Sequence, residues 1–344
     1  MSSKATKITF SVISAILVGA AAYAFSIYRS LSCPVSDLDD FNIFILPNYS
    51  QQTVLQTILD RNPDARTRGL ERWMNHREYG RRIRSGCYTI RKGADARQIT
   101  DMLVSGSQTP VRLTIRSTRT VAGLAHDIAL QLMLDSASVA SRLNDPIWLD
   151  STGYTPATVF CAIIPNTYEV YWNVSPDALL ARLLKERDRF WSDERKAKAI
   201  SIGLSELEVT TLASIIEEET SKSDELPKVA GLYMNRLKKR IPLQADPTVI
   251  YALGGERPKR VLKKHLEVDS PYNTYIHQGL PPGPIRFVNI RSIDAVLNYA
   301  RHNYLYMCAK EDFSGYHNFA TTLSQHNANA RRYQNALSKA GIRK

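Results

Sequence analysis

Apolar and polar positions alternate with three different rhythms along this chain. Between Lys7 and Arg29 the rhythm is absent: ITFSVISAILVGAAAYAFSIY is 21 residues without a charge. At about 1.5 Å per residue a helix of that length spans the roughly 30 Å hydrocarbon layer of a bilayer. The pattern predicts a transmembrane helix at 8–28 preceded by a short tail at 1–7. Lys4, Lys7 and the chain start lie before it, so the excess of positive charge leaves the tail in the cytoplasm and the rest on the outer side. Ala22-Tyr23-Ala24 also has the small-x-small form of a signal cleavage site. The length of the apolar run favours retention, and both outcomes stay open at this point.

Beyond the apolar run the rhythm becomes mixed. FNIFIL (41–46) alternates as a strand does, and SQQTVLQTILDRN carries Val54, Leu55 and Ile58 at helical spacing behind Ser50, a residue suited to an N-cap. GLERWMNHREYGRRI (69–83) predicts a second helix, GCYTI (86–90) a second strand, and DARQITDMLVSG a helix closed by Gly106. These elements form a small module, 41–108, of a make-up suited to binding rather than catalysis. PVRLTI (110–115) leads out of it as a strand into a larger region, 109–344. There the pattern predicts helices over 120–144, with Val121, Leu124, Ala125 and Ile128 facing a core, and over 177–200. Residues 157–176, rich in aromatic and β-branched side chains, lie between them. The fold class expected is α+β.

LSELEVTTLASIIEEET carries Ser205 and, three residues on, Glu208, the signature of a helix start with a capping box. Counting 100° per residue separates the triplet Glu217, Glu218 and Glu219. Glu219 continues the apolar stripe of Leu212, Ile215 and Ile216. Glu217 falls on a small polar face with Thr210, Ala213 and Ser214, and Glu218 between them reads as solvated. A carboxyl on the core-facing stripe without partners raises its pKa rather than ionising, the state a general acid needs. A structural glutamate paired with an arginine is the other reading of the same pattern. A further helix is expected at 225–240, capped by Asp224, with Val229, Ala230, Tyr233 and Leu237 as its core face. PLQADPTVIYAL (242–253) brings Gln244, Asp246, Thr248 and Tyr251 together in a turn-rich stretch. SPYNTYIHQGLPPGPIRF (270–287) adds Tyr272, Asn273 and Tyr275. Aromatic faces with amide and hydroxyl donors suit sugar rings, though rigid turns serve structure equally well.

Net charge, +12, changes the picture only through location. Between Arg61 and Arg97 eleven Lys/Arg meet four acids, a surface for an anionic partner. Export argues against nucleic acid and favours an envelope polymer or a membrane surface. The four cysteines, Cys33, Cys87, Cys161 and Cys308, permit three full pairings that sequence does not rank, and free thiols are the expectation. Their dispersal, without Cys/His ligand spacing, argues against a metal site.

Taken together, LASIIEEETSKSDELPKVAGLYMNRL, LQADPTVIYAL and YNTYIHQGLPPGPI resemble the three signature stretches of the YceG-like endolytic murein transglycosylases. The likeness runs over roughly residues 40–338 and includes GCYTI, PNTYEVYWN and GYHNFATTLSQHNANARRY. It implies an inner-membrane anchor, a LysM-like module at 41–108 and a catalytic domain at 109–344 with a lysozyme-like helical element. The implied activity is lytic cleavage of the MurNAc-β-1,4-GlcNAc bond in nascent peptidoglycan, leaving 1,6-anhydro-MurNAc ends. The glutamate before the threonine, essential in the family, is matched by Glu219, and the earlier one of the pair by Glu217. Gln244, Asp246, Thr248, Tyr251, Tyr272, Asn273 and Tyr275 fall to supporting or substrate-binding roles. The resemblance implies no cofactor and no metal, glycan strands as substrate, and peptidoglycan synthases as partners. Cys87 stands where the family usually has a small residue, which argues against a role for that thiol. A muramidase-like hydrolase and a non-catalytic peptidoglycan-binding scaffold are the competing readings.

Overall fold

The computed structural model of the chain describes residues 2–254, 258 and 261–341, with side chains from residue 9 onward. The first residue of the expected tail and the last three of the expected catalytic domain lie outside the described residues, as do the side chains of Lys4 and Lys7. The chain divides into two compact units, Met1–Arg112 with Glu169–Val174, and Leu113–Tyr168 with Ser175–Lys344.

The first unit opens with α1 (Ser2–Ser32), of which Thr9–Ser32 is long and apolar enough to cross a membrane, with a mean hydropathy of 2.0. β1 (Phe41–Ile45) leads to α2 (Gln51–Arg61), where the Ser50 hydroxyl accepts the Thr53 amide as an N-cap does. α3 (Thr67–His76), β2 (Gly86–Ile90) and α4 (Ala96–Ser105) complete the unit. The strands pair antiparallel, Phe41 opposite Ile90 and Ile45 opposite Gly86. Ile43, Val54, Ile58, Leu70 and Leu103 fill the core between sheet and helices. Asp95 and Gln98 form a capping box on α4, and Gly106 ends it at φ 72°, a left-handed position that costs glycine nothing. The helix expected at 69–83 is shorter. It stops at His76, Glu78 turns left-handed at φ 52°, and a single 3₁₀ turn follows at Tyr79–Arg81, with the Tyr79 ring wholly buried.

β3 (Val111–Thr114) pairs with β4 (Thr167–Val170). Between them run α5 (Val121–Ala129), α6 (Ser136–Leu143) and α7 (Pro146–Thr152). The segment 120–144 is therefore two helices, because Asp135 accepts the Ser138 amide and starts a new one. Val121 faces a cavity instead of the core. The stretch 177–200 also breaks in two, α8 (Pro176–Phe190) and α9 (Asp193–Ser201). Trp191 buries its ring at the break, and Ser192 recaps the chain. Next come α10 (Glu206–Glu219), α11 (Leu226–Lys238), α12 (Asp246–Ala252), α13 (Lys263–Leu266) and α14 (Ile290–Leu297). An antiparallel hairpin of β5 (Tyr306–Ala309) and β6 (His317–Ala320) precedes α15 (Leu323–Lys339).

Helix α10 is the axis of this unit. Val209, Leu212, Ile215 and Ile216 are wholly buried against α11 and α14. Asp224 does not cap α11. It accepts the Tyr316 hydroxyl instead, and Glu225 occupies the cap position without a side-chain cap bond. The turn-rich stretch expected at 242–253 is helical from Asp246 onward, with Pro247 in the first turn where its missing N–H is tolerated. All four cysteines are free, Cys87 and Cys161 buried, Cys33 and Cys308 partly so.

Candidate active site

The Ser205–Glu208 capping box sets the start of α10, and the apolar stripe sets its rotation. Together they deliver Glu219, the last helical residue, to the edge of the core. Its Oε1 accepts the Tyr233 hydroxyl of α11 at 2.7 Å. Burial lifts the Glu219 carboxyl from its ordinary value to about 7, the Tyr233 bond opposing and the nearby Asp246 and Glu218 charges assisting.

Two cavities adjoin this carboxyl. One, of about 670 Å³, is lined by Arg119, Phe160, Pro247, Tyr251 and Ile285 among others. The other, of about 370 Å³, is lined by Tyr233, Arg236, Gln244, Tyr275, Tyr306, His317 and His326 among others. Glu219 and Asp246 line both. A bond laid across from one cavity into the other would pass these two side chains.

Asp246 opens α12 and accepts the Tyr275 hydroxyl at 2.5 Å. Burial and the Asp246 carboxylate together push the Tyr275 phenol up, so it stays protonated and donating. Gln244 takes φ 51°, unusual for a residue with a Cβ. Its backbone amide reaches Thr274 O at 3.0 Å and its Oε1 accepts Arg236 at 2.5 Å. Tyr251 lines the larger cavity with Tyr272 beside it, ring centroids 4.6 Å apart. Thr248 and Asn273 line neither cavity. Thr248 shares a 2.8 Å bond with the Thr274 hydroxyl. Asn273, wholly buried, donates to Leu266 O and Val268 O at 2.9 Å and accepts the Tyr275 amide at 3.0 Å. Both brace the loop that presents Gln244 and Tyr275.

Glu218 is not solvated. Its side chain is 7% exposed and takes Arg119 at 2.7 and 2.6 Å and Arg286 at 2.5 Å. Helical phase reads only a helix's own stripe, and here residues 117–119 and 285–289 cover the second face of α10. Glu217, 6% exposed, accepts the Asn289 amide at 2.9 Å and its side-chain amide at 2.6 Å. The loop carrying Arg286 is held close: a Cβ on Gly283 would lie 2.0 Å from Ala157 O.

Arg119, Arg286, Arg236, His317 and the hydroxyl of Tyr233 were not singled out from sequence as site residues. Only Tyr233 left a signal, a tyrosine on a core face whose hydroxyl must find a partner. His317 donates its amide to Glu225 Oε1 at 2.9 Å and sets Nδ1 2.9 Å from Glu225 Oε2. Thr220, next to Glu219, donates to the same Glu225 oxygen at 3.2 Å. This second bond ties the end of α10 to the hairpin.

Fold and site together define a mixed α+β protein built around one half-buried, readily protonated carboxyl between two clefts. Residues 43–332 match the YceG-like family, and the chain belongs to it. It is 30% identical over 330 residues to the endolytic murein transglycosylase of Bacillus subtilis (strain 168), covering 90% of each chain. Over 154 residues it is 28% identical to the endolytic murein transglycosylase of Streptococcus pneumoniae (strain ATCC BAA-255 / R6), 43% of this chain and 27% of that one. It is also similar to the crystal structure of a yceG-like protein from Listeria monocytogenes. The TM-score is 0.57 at 28% identity, over 84% of this chain and 98% of the other.

Proposed function

We propose that the chain is an endolytic murein transglycosylase, a lyase acting on peptidoglycan glycan strands, with Glu219 as its acid and then its base. The observation that carries this reading is the placement of Glu219, whose carboxyl is raised to about 7, on both of two adjoining cavities. With one sugar on each side, the glycosidic oxygen lies at the carboxyl. Glu219 donates its proton to that oxygen as the C1–O bond breaks and positive charge grows on the muramic ring or its N-acetyl group. The resulting carboxylate then takes the proton of the muramic C6 hydroxyl, whose oxygen closes on C1 to give the 1,6-anhydro end. The proton lost by Glu219 is thereby returned, and no water is consumed.

A retaining hydrolase needs a second carboxyl about 5 Å from the first, and an inverting one about 6.5–9.5 Å. Asp246, on the same cavities, keeps a muramidase-like reading in play, and product mass separates the two. Anhydro ends are one water lighter than reducing ends, so reducing ends alone would overturn the lyase assignment.

Helix α1 is proposed as a single-pass anchor in the cytoplasmic membrane, residues 1–7 inside and the remainder on the outer side. Residues 41–108 are proposed as a LysM-like module and 109–344 as the catalytic domain, α10 being its lysozyme-like element. In this arrangement the substrate is nascent strand, which makes peptidoglycan synthases the natural partners. A non-catalytic scaffold would bind strands and leave them uncut. Digestion of uncrosslinked strands by wild type and by Glu219→Gln, both checked for folding, tests the whole reading.

A further inference from the structure

Three arginines meet where α1 ends. Arg29, Arg66 and Arg68 line a cavity of about 470 Å³ together with residues of α1 and of the start of α3. Cavity and arginines all belong to the first unit. Among the described residues no carboxylate lines this cavity. Arg66 pairs with Asp37 at 3.6 Å, with both side chains largely in solvent. Three cationic side chains along one opening, of which Arg66 alone has an ion pair among the described residues, favour the entry of an anion.

Close packing fixes the arrangement. A Cβ on Gly69 would lie 1.8 Å from the Ser30 carbonyl oxygen, so α3 crosses the end of α1 at backbone contact. Leu31 packs on the core of the unit, and Arg97 reaches the Ser32 hydroxyl at 3.5 Å. Depth follows from length. Counted from Thr9, the roughly 20 helical residues that fill a hydrocarbon layer end near Tyr28. Tyr23 and Tyr28 are both exposed on α1, as tyrosines at a membrane interface are. On that count the cavity and its three arginines fall near the level of lipid phosphates, which guanidinium groups match with paired hydrogen bonds.

We propose that this cavity binds the phosphate of an anionic phospholipid headgroup, which clamps the start of α3 to the membrane surface. The inference rests on α1 being a membrane anchor. Each arginine near such a surface contributes about fivefold to the preference for anionic lipid.

The test uses the full chain in vesicles of phosphatidylcholine alone and of phosphatidylcholine with one-third phosphatidylglycerol. Flotation reports anchoring, and amide hydrogen exchange over 65–69 reports occupancy. Wild type floats in both, and exchange over 65–69 is slower by about fivefold or more in the anionic vesicles. The triple variant Arg29→Gln, Arg66→Gln, Arg68→Gln floats and loses that difference, while Arg66→Lys with Arg68→Lys, which keeps the charge but not the paired hydrogen bonds, retains only part of it. Equal exchange in both vesicles, with flotation intact, overturns the headgroup site alone. Full protection by soluble glycerol phosphate in phosphatidylcholine vesicles overturns the lipid assignment. Loss of flotation in wild type removes the anchor, and the inference with it.

Discussion

At Glu219 three influences act in one direction and one in the other. Burial, the charges of Asp246 and Glu218, and the negative end of α10 all disfavour ionisation, while the Tyr233 hydroxyl favours it. The balance, about 7 against an ordinary 4.5, has consequences for both rate and stability. A general acid at this value predicts that kcat/KM for strand cleavage falls as pH rises through about 7. Replacing Tyr233 by Phe removes the one opposing influence, so that limb moves to higher pH by up to about one unit, a hydrogen bond being worth about 1 kcal/mol. A pH–rate profile of the two proteins checks both statements. For stability, the folded-state pKa lies above the unfolded one. Below about 4.5 both states hold the proton; between 4.5 and 7 the unfolded chain releases it first, and stability declines as pH rises. At about 1.4 kcal/mol per unit the total is roughly 3 kcal/mol. Glu219→Gln is expected to lose cleavage by 10²-fold or more. It should also be more stable than wild type at pH 8 and equal to it near pH 4, measured by urea unfolding. A variant that loses activity without this pH-dependent gain would contradict the buried, protonated acid.

Among the elements, α10 shows what sequence carries and what it omits. Its start, its length and the separation of Glu219 from its neighbours follow from one capping box and one apolar stripe, both visible in a linear reading. What covers its other face is not visible, because Arg119 and Arg286 lie 99 and 68 residues from Glu218 along the chain. The same limit explains Thr248 and Asn273. Their composition fits sugar binding, and only the fold shows that their polar atoms are consumed by Thr274, Leu266 and Val268. The breaks at Trp191 and Asp135 are invisible to periodicity, which continues across them while a buried ring or a new cap ends the helix. The carboxylate cluster on α10 invites a direct test. Arg286, 15% exposed, spans Glu217 and Glu218, so Arg286→Met leaves buried Glu217 without its cation and Glu218 with Arg119, and should cost about 3 kcal/mol. Arg119 is 49% exposed and water replaces it, so Arg119→Met should cost about 1 kcal/mol or less. Denaturant midpoints at pH 7 rank the two, and the reverse order would mean that Arg119 carries the cluster.

For the molecule as a whole, the C-terminal end of α1 decides where the chain can be cut. The apolar run read from sequence ends at Tyr28, yet the helix continues to Ser32 and its last turn belongs to the fold. Leu31 packs against the core of the first unit, and the Ser30 carbonyl meets Gly69. A chain beginning at Arg29 keeps these contacts, while one beginning at Pro34 loses them. Deleting residues 1–28 is therefore expected to release a protein with wild-type unfolding of the first unit and intact cleavage of soluble glycan strands. Deleting residues 1–33 should destabilise that unit by about 1 kcal/mol or more, the scale of one partly buried leucine. The second unit, whose core and candidate site lie within Leu113–Tyr168 and Ser175–Lys344, should be unaffected in either case. Hydrogen exchange resolved by segment distinguishes the outcomes: faster exchange in α3 and α4 only for the shorter chain. Equal exchange in both chains would mean that the last turn of α1 serves the membrane alone.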